Sequence, residues 1–433
     1  MKTVRCVLIS AVLLPLLVGT AFAGGTEERA APEGPVEIEY WHDWAPEGAQ
    51  GLVLQGLADE FNARFEGEIV LGLVYMGGRR DEKIAASLAA GDPPEVAWIS
   101  GAGQSYYDAG VLISMDRVYD DIVDRADLLP NMREPMQYLG KDITLPHENS
   151  NLAVLYNRNL LREKGIAFPS AVIGEYTWDD FIRDAGAFTD LDAPTYGWHP
   201  RWATAMVWAR FWQKGGQMFS DDFRTNLVVS DPEQQAAMLG ALDWIDRILY
   251  REPITANDRG DQSFGSSDMP FEITGPWALP RYFKPIGPFD PGDIGVAPFP
   301  ADNETGAVVT YWYQKALAIF AKSERQEEAG LEFIKWFYSP EIHARWCADA
   351  GYLPVTRSAL EHPVWIEYAR ANPWVEVYIE QTAFQQYPAA GIPRGDMDRM
   401  RDMVRFREGT PEQALRDYAR DAQDVLDEFW ATR

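Results

Sequence analysis

Between residues 36 and 100 the hydrophobic period of the sequence switches four times. "VEIEYW" (36–41) alternates apolar and polar residues as a strand does. "GAQGLVLQGLADEFNARF" follows, with Leu52, Leu54, Leu57, Phe61 and Phe65 near helical spacing. "EIVLGLVYM" reads as a second strand, "RRDEKIAASLAAG" as a helix that stops at Gly91, and "PPEVAWIS" as a third strand after the Pro93-Pro94 break. A β-α-β-α-β order joins parallel strands through crossover helices, so an α/β domain with a largely parallel sheet is expected.

Beyond residue 140 the order changes. "ITLPHENSNLAVLYNRNLLREKG" leads into a helix-rich stretch from Trp178 to Tyr250, and "FEITGPWA" and "GDIGVAPFP" return to strand character. "KALAIFAK" is a further strand and "QEEAGLEFIKWFYSP" a helix that ends before Pro340. The chain closes on "TPEQALRDYARDAQDVLDEFW", where Thr410 is placed to cap a helix with Pro411 just inside it. Strands that return this late imply that the chain crosses back into its first domain. At 433 residues it also exceeds the length of about 250 to 300 at which a single core stops growing, so two domains are expected.

The N-terminus, "MKTVRCVLISAVLLPLLVGTAFAGG", has Lys2 and Arg5, then an apolar run, then small residues ending at Ala21-Phe22-Ala23. That layout is a cleavable export signal over 1–23, with 24–35 a flexible leader. The apolar run is interrupted by Pro15 and is shorter than the roughly 20 residues a bilayer requires. No cysteine stands at the cleavage point, so a periplasmic protein without a lipid anchor is expected. Removal of the signal leaves Cys347 as the sole cysteine, so no disulfide is available and Cys347 is expected to pack as a small hydrophobe. The formal charge of −27 repels nucleic acid and anionic lipid, which makes both poor partners.

Nine segments in order carry a resemblance: "IEYWHDW", "KIAASLAAGDPPEV", "DAGVLISMD", "LPHENSNLAVLYNRNLLREKGI", "YTWDDF", "ITGPWAL", "GDIGVAPFP", "AGLEFIKWFYSPE" and "GYLPVTRSAL". The sequence resembles the periplasmic extracellular solute-binding proteins of ABC sugar importers, the maltose-binding-protein-like group. The resemblance implies an α/β periplasmic binding protein fold of two lobes, each a sheet flanked by helices, with multiple hinge crossings. Lobe 1 would be 36–146 plus 298–347, and lobe 2 would be 147–297 plus 348–433. It also implies a monomer that holds a di- or oligosaccharide in the interlobe cleft, closes about the hinge, and delivers it to ABC permease subunits without cofactor or metal.

A sugar presents apolar C–H faces and a rim of hydroxyls, so its site needs flat aromatic platforms beside polar and charged groups. Segments at strand ends supply these types: Trp41, His42, Asp43 and Trp44 after the first strand, Trp98 and Ser100 in the third, and Glu148 and Asn149 at the first crossing. Trp198, Trp202, Trp277, Trp312, Tyr352 and Arg394 complete the candidate ligand-binding set. Two readings stay open for several of them. Trp98 faces either the core or the cleft, Glu148 is a solvated carboxylate, a hinge partner or a ligand contact, and Trp277 on its Gly275-Pro276 corner is a platform or a core plug. In "YWYQ" period two allows at most one or two of Tyr311, Trp312 and Tyr313 on any one face.

Enzymatic patterns are missing. The five histidines show no HExxH spacing, and no GxSxG, Walker or GxGxxG fingerprint occurs, so no catalytic residue is assigned. A non-sugar solute such as a phosphodiester, or an exported glycan-active hydrolase, remains the alternative.

Overall fold

The structure, a computed structural model, describes residues 34–101, 103–200, 204–257, 263–389 and 391–433. The signal segment, most of the leader, Arg201 and Trp202 lie outside the described residues. The opening alternation folds as β1 (Val36–His42), α1 (Ala49–Arg64), β2 (Ile69–Tyr75), α2 (Arg80–Ala90) and β3 (Val96–Ser100). Along α1, Leu54, Leu57 and Phe61 are buried, whereas Leu52 is 60% exposed. Two residues of helix turn through about 200°, so Leu52 and Leu54 cannot share a face. Gly91 ends α2 at φ 76, a left-handed cap that favours glycine.

The chain then forms β4 (Leu145–Pro146), β5 (Ala153–Asn157), α3 (Trp178–Gly186), α4 (Thr204–Gln213) and α5 (Pro232–Asp246). Next come β6 (Phe271–Thr274), β7 (Ile294–Ala297), β8 (Lys315–Ile319), α6 (Glu324–Phe337), α7 (Pro340–Ala350), α8 (Met397–Arg405) and α9 (Pro411–Ala431). The five-stranded sheet has the order β2-β1-β3-β8-β4 and the three-stranded sheet β6-β5-β7, with two short two-stranded ladders beside them. The late strand β8 therefore does return to the first sheet. It enters antiparallel to β3, with Lys315 opposite Ser100 and Leu317 opposite Trp98, and β4 pairs antiparallel to β8. Within this sheet only β1 with β2 and β3 is parallel, because β8 arrives from the other sheet rather than through a crossover helix on its own.

β5 is buried along its whole length, and its alternation feeds two hydrophobic clusters. Ala153 and Leu155 join the cluster that runs through the first sheet, α1, α6 and α7, while Val154 and Tyr156 join the one beneath α3, α4, α5 and α9. Between β4 and β5 the crossing His147–Asn151 is fully buried. Its backbone is stitched to Lys315, Leu353 and Tyr313, so the segment that connects the two sheets is also their shared seam.

Candidate functional site

A cavity of about 360 Å³ opens beside that seam. Its walls come from the segment after β1, from β3, from the crossing, from the start of α4, from the turn after β6, and from the residues around β8 and after α7. Ligand groups at the carboxyl ends of strands are the general arrangement in open α/β sheets.

Four indoles face it: Trp44, Trp98, Trp198 and Trp277. The Trp44 ring N–H donates to the Tyr352 hydroxyl at 2.9 Å, and the ring packs edge-on against Trp346 at 4.9 Å. Trp98 tilts against Trp44 at 5.2 Å. Trp198, 1% exposed, is wedged edge-on against Phe181 at 5.1 Å and contributes a wall of the cavity from within the core. Trp277 is half-buried, stands at 89° to Tyr313 with ring centres 5.5 Å apart, and packs against both hydrophobic clusters.

The Gly-Pro corner before Trp277 has a specific cause. Gly275 has an ordinary backbone, φ −95 and ψ 175, so its freedom of conformation is not what the turn uses. A Cβ on Gly275 would lie 1.7 Å from the Trp277 ring. The ring folds back over the turn into space that only a glycine leaves, and Pro276 opens the single 3-10 turn that aims it.

Polar groups share the walls. Glu148 is buried, and its carboxylate is hydrogen-bonded to Nδ1 of His147, whose Nε2 is hydrogen-bonded to the Tyr40 hydroxyl at 3.0 Å. Asp43 accepts the Gly78 backbone N–H at 3.0 Å and lies 3.5 Å from Arg80. Gln50 holds the site together from the side, donating to the carbonyls of Trp277 at 3.0 Å and Ala350 at 3.1 Å. Lys315 donates to Ser100 Oγ at 3.0 Å and sits 4.6 Å from the centre of the Trp98 ring. Burial pulls its ammonium pKa down to about 8, with the Glu148 carboxylate opposing that shift. Three buried polar atoms of the wall residues, Trp98 Nε1, Trp198 Nε1 and Thr274 Oγ1, have no hydrogen-bond partner among the described residues.

Of the sequence-derived candidates, Asp43, Trp44, Trp98, Glu148, Trp198, Trp277 and Tyr352 come together here. The others that are described do not reach the cavity. Trp41 turns to Glu39, to which its indole N–H donates at 2.7 Å. His42 lies behind Trp44, stacked on it at 5.7 Å, with burial lowering its pKa to about 4. Ser100 acts only through Lys315. Asn149 is committed to the seam, paired with Leu353 and donating to Thr382 at 3.1 Å. Trp312 is fully buried because alternation turns it inward while Tyr313 faces the cavity. Arg394 lies over Trp208 at 5.8 Å and lines a separate groove between α8 and α9. Trp202 lies outside the described residues.

Lys315, Arg281 and Gln50 were not foreseen from the sequence. Gln50 sits in the first turn of α1 and Arg281 four residues after Trp277, so a one-turn offset from a recognised aromatic was the signal for Arg281. Lys315 carries no local signal, because its place is set by pairing with a strand more than 200 residues earlier.

Three relatives frame this site. A maltotriose-binding protein of Pyrococcus abyssi is 26% identical over 348 residues, spanning 78% of this chain and 70% of the relative. The crystal structure of a cyclic alpha-maltosyl-1,6-maltose binding protein from Arthrobacter globiformis superposes with a TM-score of 0.72 at 21% identity, covering 91% of this chain and 100% of that one. UgpB from Mycobacterium tuberculosis in complex with glycerophosphocholine gives a TM-score of 0.75 at 20% identity, covering 92% and 99%. Both structures share the fold, two α/β lobes. The sequence profile described as bacterial extracellular solute-binding protein matches residues 56–373, and by that match the chain belongs to this family.

Proposed function

We propose that the protein is the substrate-binding component of an ABC importer and captures a di- or oligosaccharide in the cleft between its lobes. The observation that carries this reading is the cavity itself: four indoles with Tyr313 and Tyr352, interleaved with Asp43, Glu148 and Gln50. Aromatic faces match the C–H faces of sugar rings, and the unpartnered N–H groups of Trp98 and Trp198 match the hydroxyl rim. Its volume lies at the small end of the range of about 300 to 1,000 Å³ usual for ligand pockets, which suits one or two rings. The maltotriose-binding and cyclic-maltosyl-maltose-binding relatives support the same ligand class.

In this reading residues 36–146 with 298–347 form one lobe, and 147–297 with 348–433 the other. The third boundary, 347/348, falls in the last turn of α7 (Pro340–Ala350). The protein works as a monomer in the periplasm after loss of residues 1–23, without a lipid anchor. Among the described residues no helix is long and apolar enough to cross a membrane. Ligand closes the lobes, and the closed form is handed to the permease without a covalent step and without cofactor or nucleic acid.

Native mass spectrometry and thermal shift with a panel of saccharides and glycerophosphodiesters test this. A binder gains RT ln(1 + [L]/Kd), about 2.7 kcal/mol at a hundredfold excess over Kd. The expected result is stoichiometric, unchanged saccharide. Turnover of the sugar, or stabilisation by glycerophosphodiesters alone, would remove the reading.

A further inference from the structure

The acids and the cations of the cavity are in different states of satisfaction. Asp43 is already engaged by the Gly78 N–H and by Arg80, and Glu148 by His147. Lys315 has three N–H donors, and its hydrogen-bond partner is the neutral Ser100 hydroxyl. Its other contacts are ring faces, Trp98 at 4.6 Å and Tyr313 at 5.9 Å. Among the described residues no carboxylate forms an ion pair with it, and those nearest in effect, Glu148 and Asp43, act through space. Arg281, in the short helical turn after Trp277, also lines the cavity; its hydrogen-bond partner among the described residues is the Tyr282 hydroxyl at 3.1 Å, which itself donates to Glu272. Glu148 and Asp43 act on the ammonium only through space, their own hydrogen bonds being made elsewhere, so the direct ion-pair position beside Lys315 is left for a ligand to fill.

We propose that the saccharide taken by this cavity carries a negatively charged oxyanion, a carboxylate or a phosphate, which pairs with Lys315 and Arg281. This rests on the carbohydrate reading above and narrows it to acidic saccharides. The sugar ring stacks on the indoles, and the oxyanion draws the Lys315 ammonium away from the Trp98 face, over which it lies at 4.6 Å. An ammonium over an aromatic face is a modest interaction when no anion is present, so it yields to a charge-assisted hydrogen bond. The depressed pKa of Lys315 fits the same picture, since an anion at this position stabilises the charged form that burial disfavours.

The test uses matched pairs in titration calorimetry with the whole mature protein: α-1,4-digalacturonate against α-1,4-galactobiose, cellobiouronate against cellobiose, and trehalose 6-phosphate against trehalose. The acidic member of every pair that binds is expected to bind about tenfold tighter or more. A preference confined to the uronates assigns a carboxylate, and one confined to the phosphate pair assigns a phosphate. The variants Lys315→Met and Arg281→Gln are each expected to shrink the preference within a pair. Arg281 is exposed, so its variant tests the idea even where Lys315→Met fails to fold. Equal or tighter binding of the neutral member overturns the proposal and leaves the carbohydrate reading standing. Absence of binding by every member of every pair overturns both.

Discussion

Trp277 is the residue on which platform and core readings diverge most. Its half-buried ring lies against both hydrophobic clusters and on the cavity wall, so its removal is expected to act on binding more than on folding. Trp277→Ala should weaken saccharide affinity by about 2 kcal/mol or more, mainly through faster release. Its stability loss should fall below the roughly 3 to 5 kcal/mol of a fully buried aromatic. Gly275→Ala should reproduce much of the affinity loss, because the added Cβ meets the ring at 1.7 Å and must displace it. Calorimetry and melting curves on both variants check this. Normal affinity with a much lower Tm would return Trp277 to the core. At this scale the sequence located the aromatics but not their roles: "WHDW" gives four neighbouring residues of suitable chemistry, and the strand's end sends Asp43 and Trp44 to the cavity while Trp41 turns to Glu39 and His42 packs behind. Cys347, expected to be a packing residue, is fully buried in α7, and burial raises its thiol pKa well above the usual value.

Among the elements, the helices with strong local punctuation were the most legible. Thr410 caps α9 as its sequence implied: its hydroxyl accepts from Gln413 N–H at 3.3 Å, and the Gln413 side chain accepts the Thr410 backbone N–H at 2.8 Å. Thr410→Ala is expected to lower stability by about 1 kcal/mol without changing ligand affinity, since α9 lies away from the cavity. Chemical denaturation measures the first and calorimetry the second, and an unchanged midpoint would show that the cap is redundant. Strand β8 was recognisable by its short aliphatic run, but its direction was not. Antiparallel entry follows from where the chain comes from in space, and it is this entry that sets Lys315 against Ser100.

The whole molecule is proposed to open and close about the buried crossing His147–Asn151 and the other seams. Small-angle scattering with saturating ligand should show a smaller radius of gyration than the empty protein, and identical radii would count against hinge closure. Acid should weaken the fold for a reason visible in its buried imidazoles. Burial lowers His42 from 6.5 to about 4 and His343 from 6.5 to about 3. Below pH 6.5 the unfolded chain binds protons that these folded sites refuse, so their contribution is present above 6.5 and is lost as pH falls toward 4 and then 3. Tm measured from pH 7 to 4 should fall less steeply for His343→Gln, which retains an acceptor for the Val355 N–H that His343 Nε2 now accepts at 3.1 Å. Parallel curves for variant and wild type would remove His343 as a contributor.

Periodicity alone determined the β-α-β-α-β start, the late return of a strand and the capped terminal helix, because spacing, caps and breakers act within a few residues and are written locally. The ordered segments from "IEYWHDW" to "GYLPVTRSAL" determined the family in the same direct way. The cavity was decided only by the tertiary structure. Alternation could say that Tyr311, Trp312 and Tyr313 divide between faces, yet only the packed sheets turned Trp312 inward and Tyr313 toward the ligand space. Lys315 and Arg281 belong to the site through contacts between segments far apart in the chain, and such pairings are set by how the two sheets meet at the seam, a property that no single stretch of sequence contains.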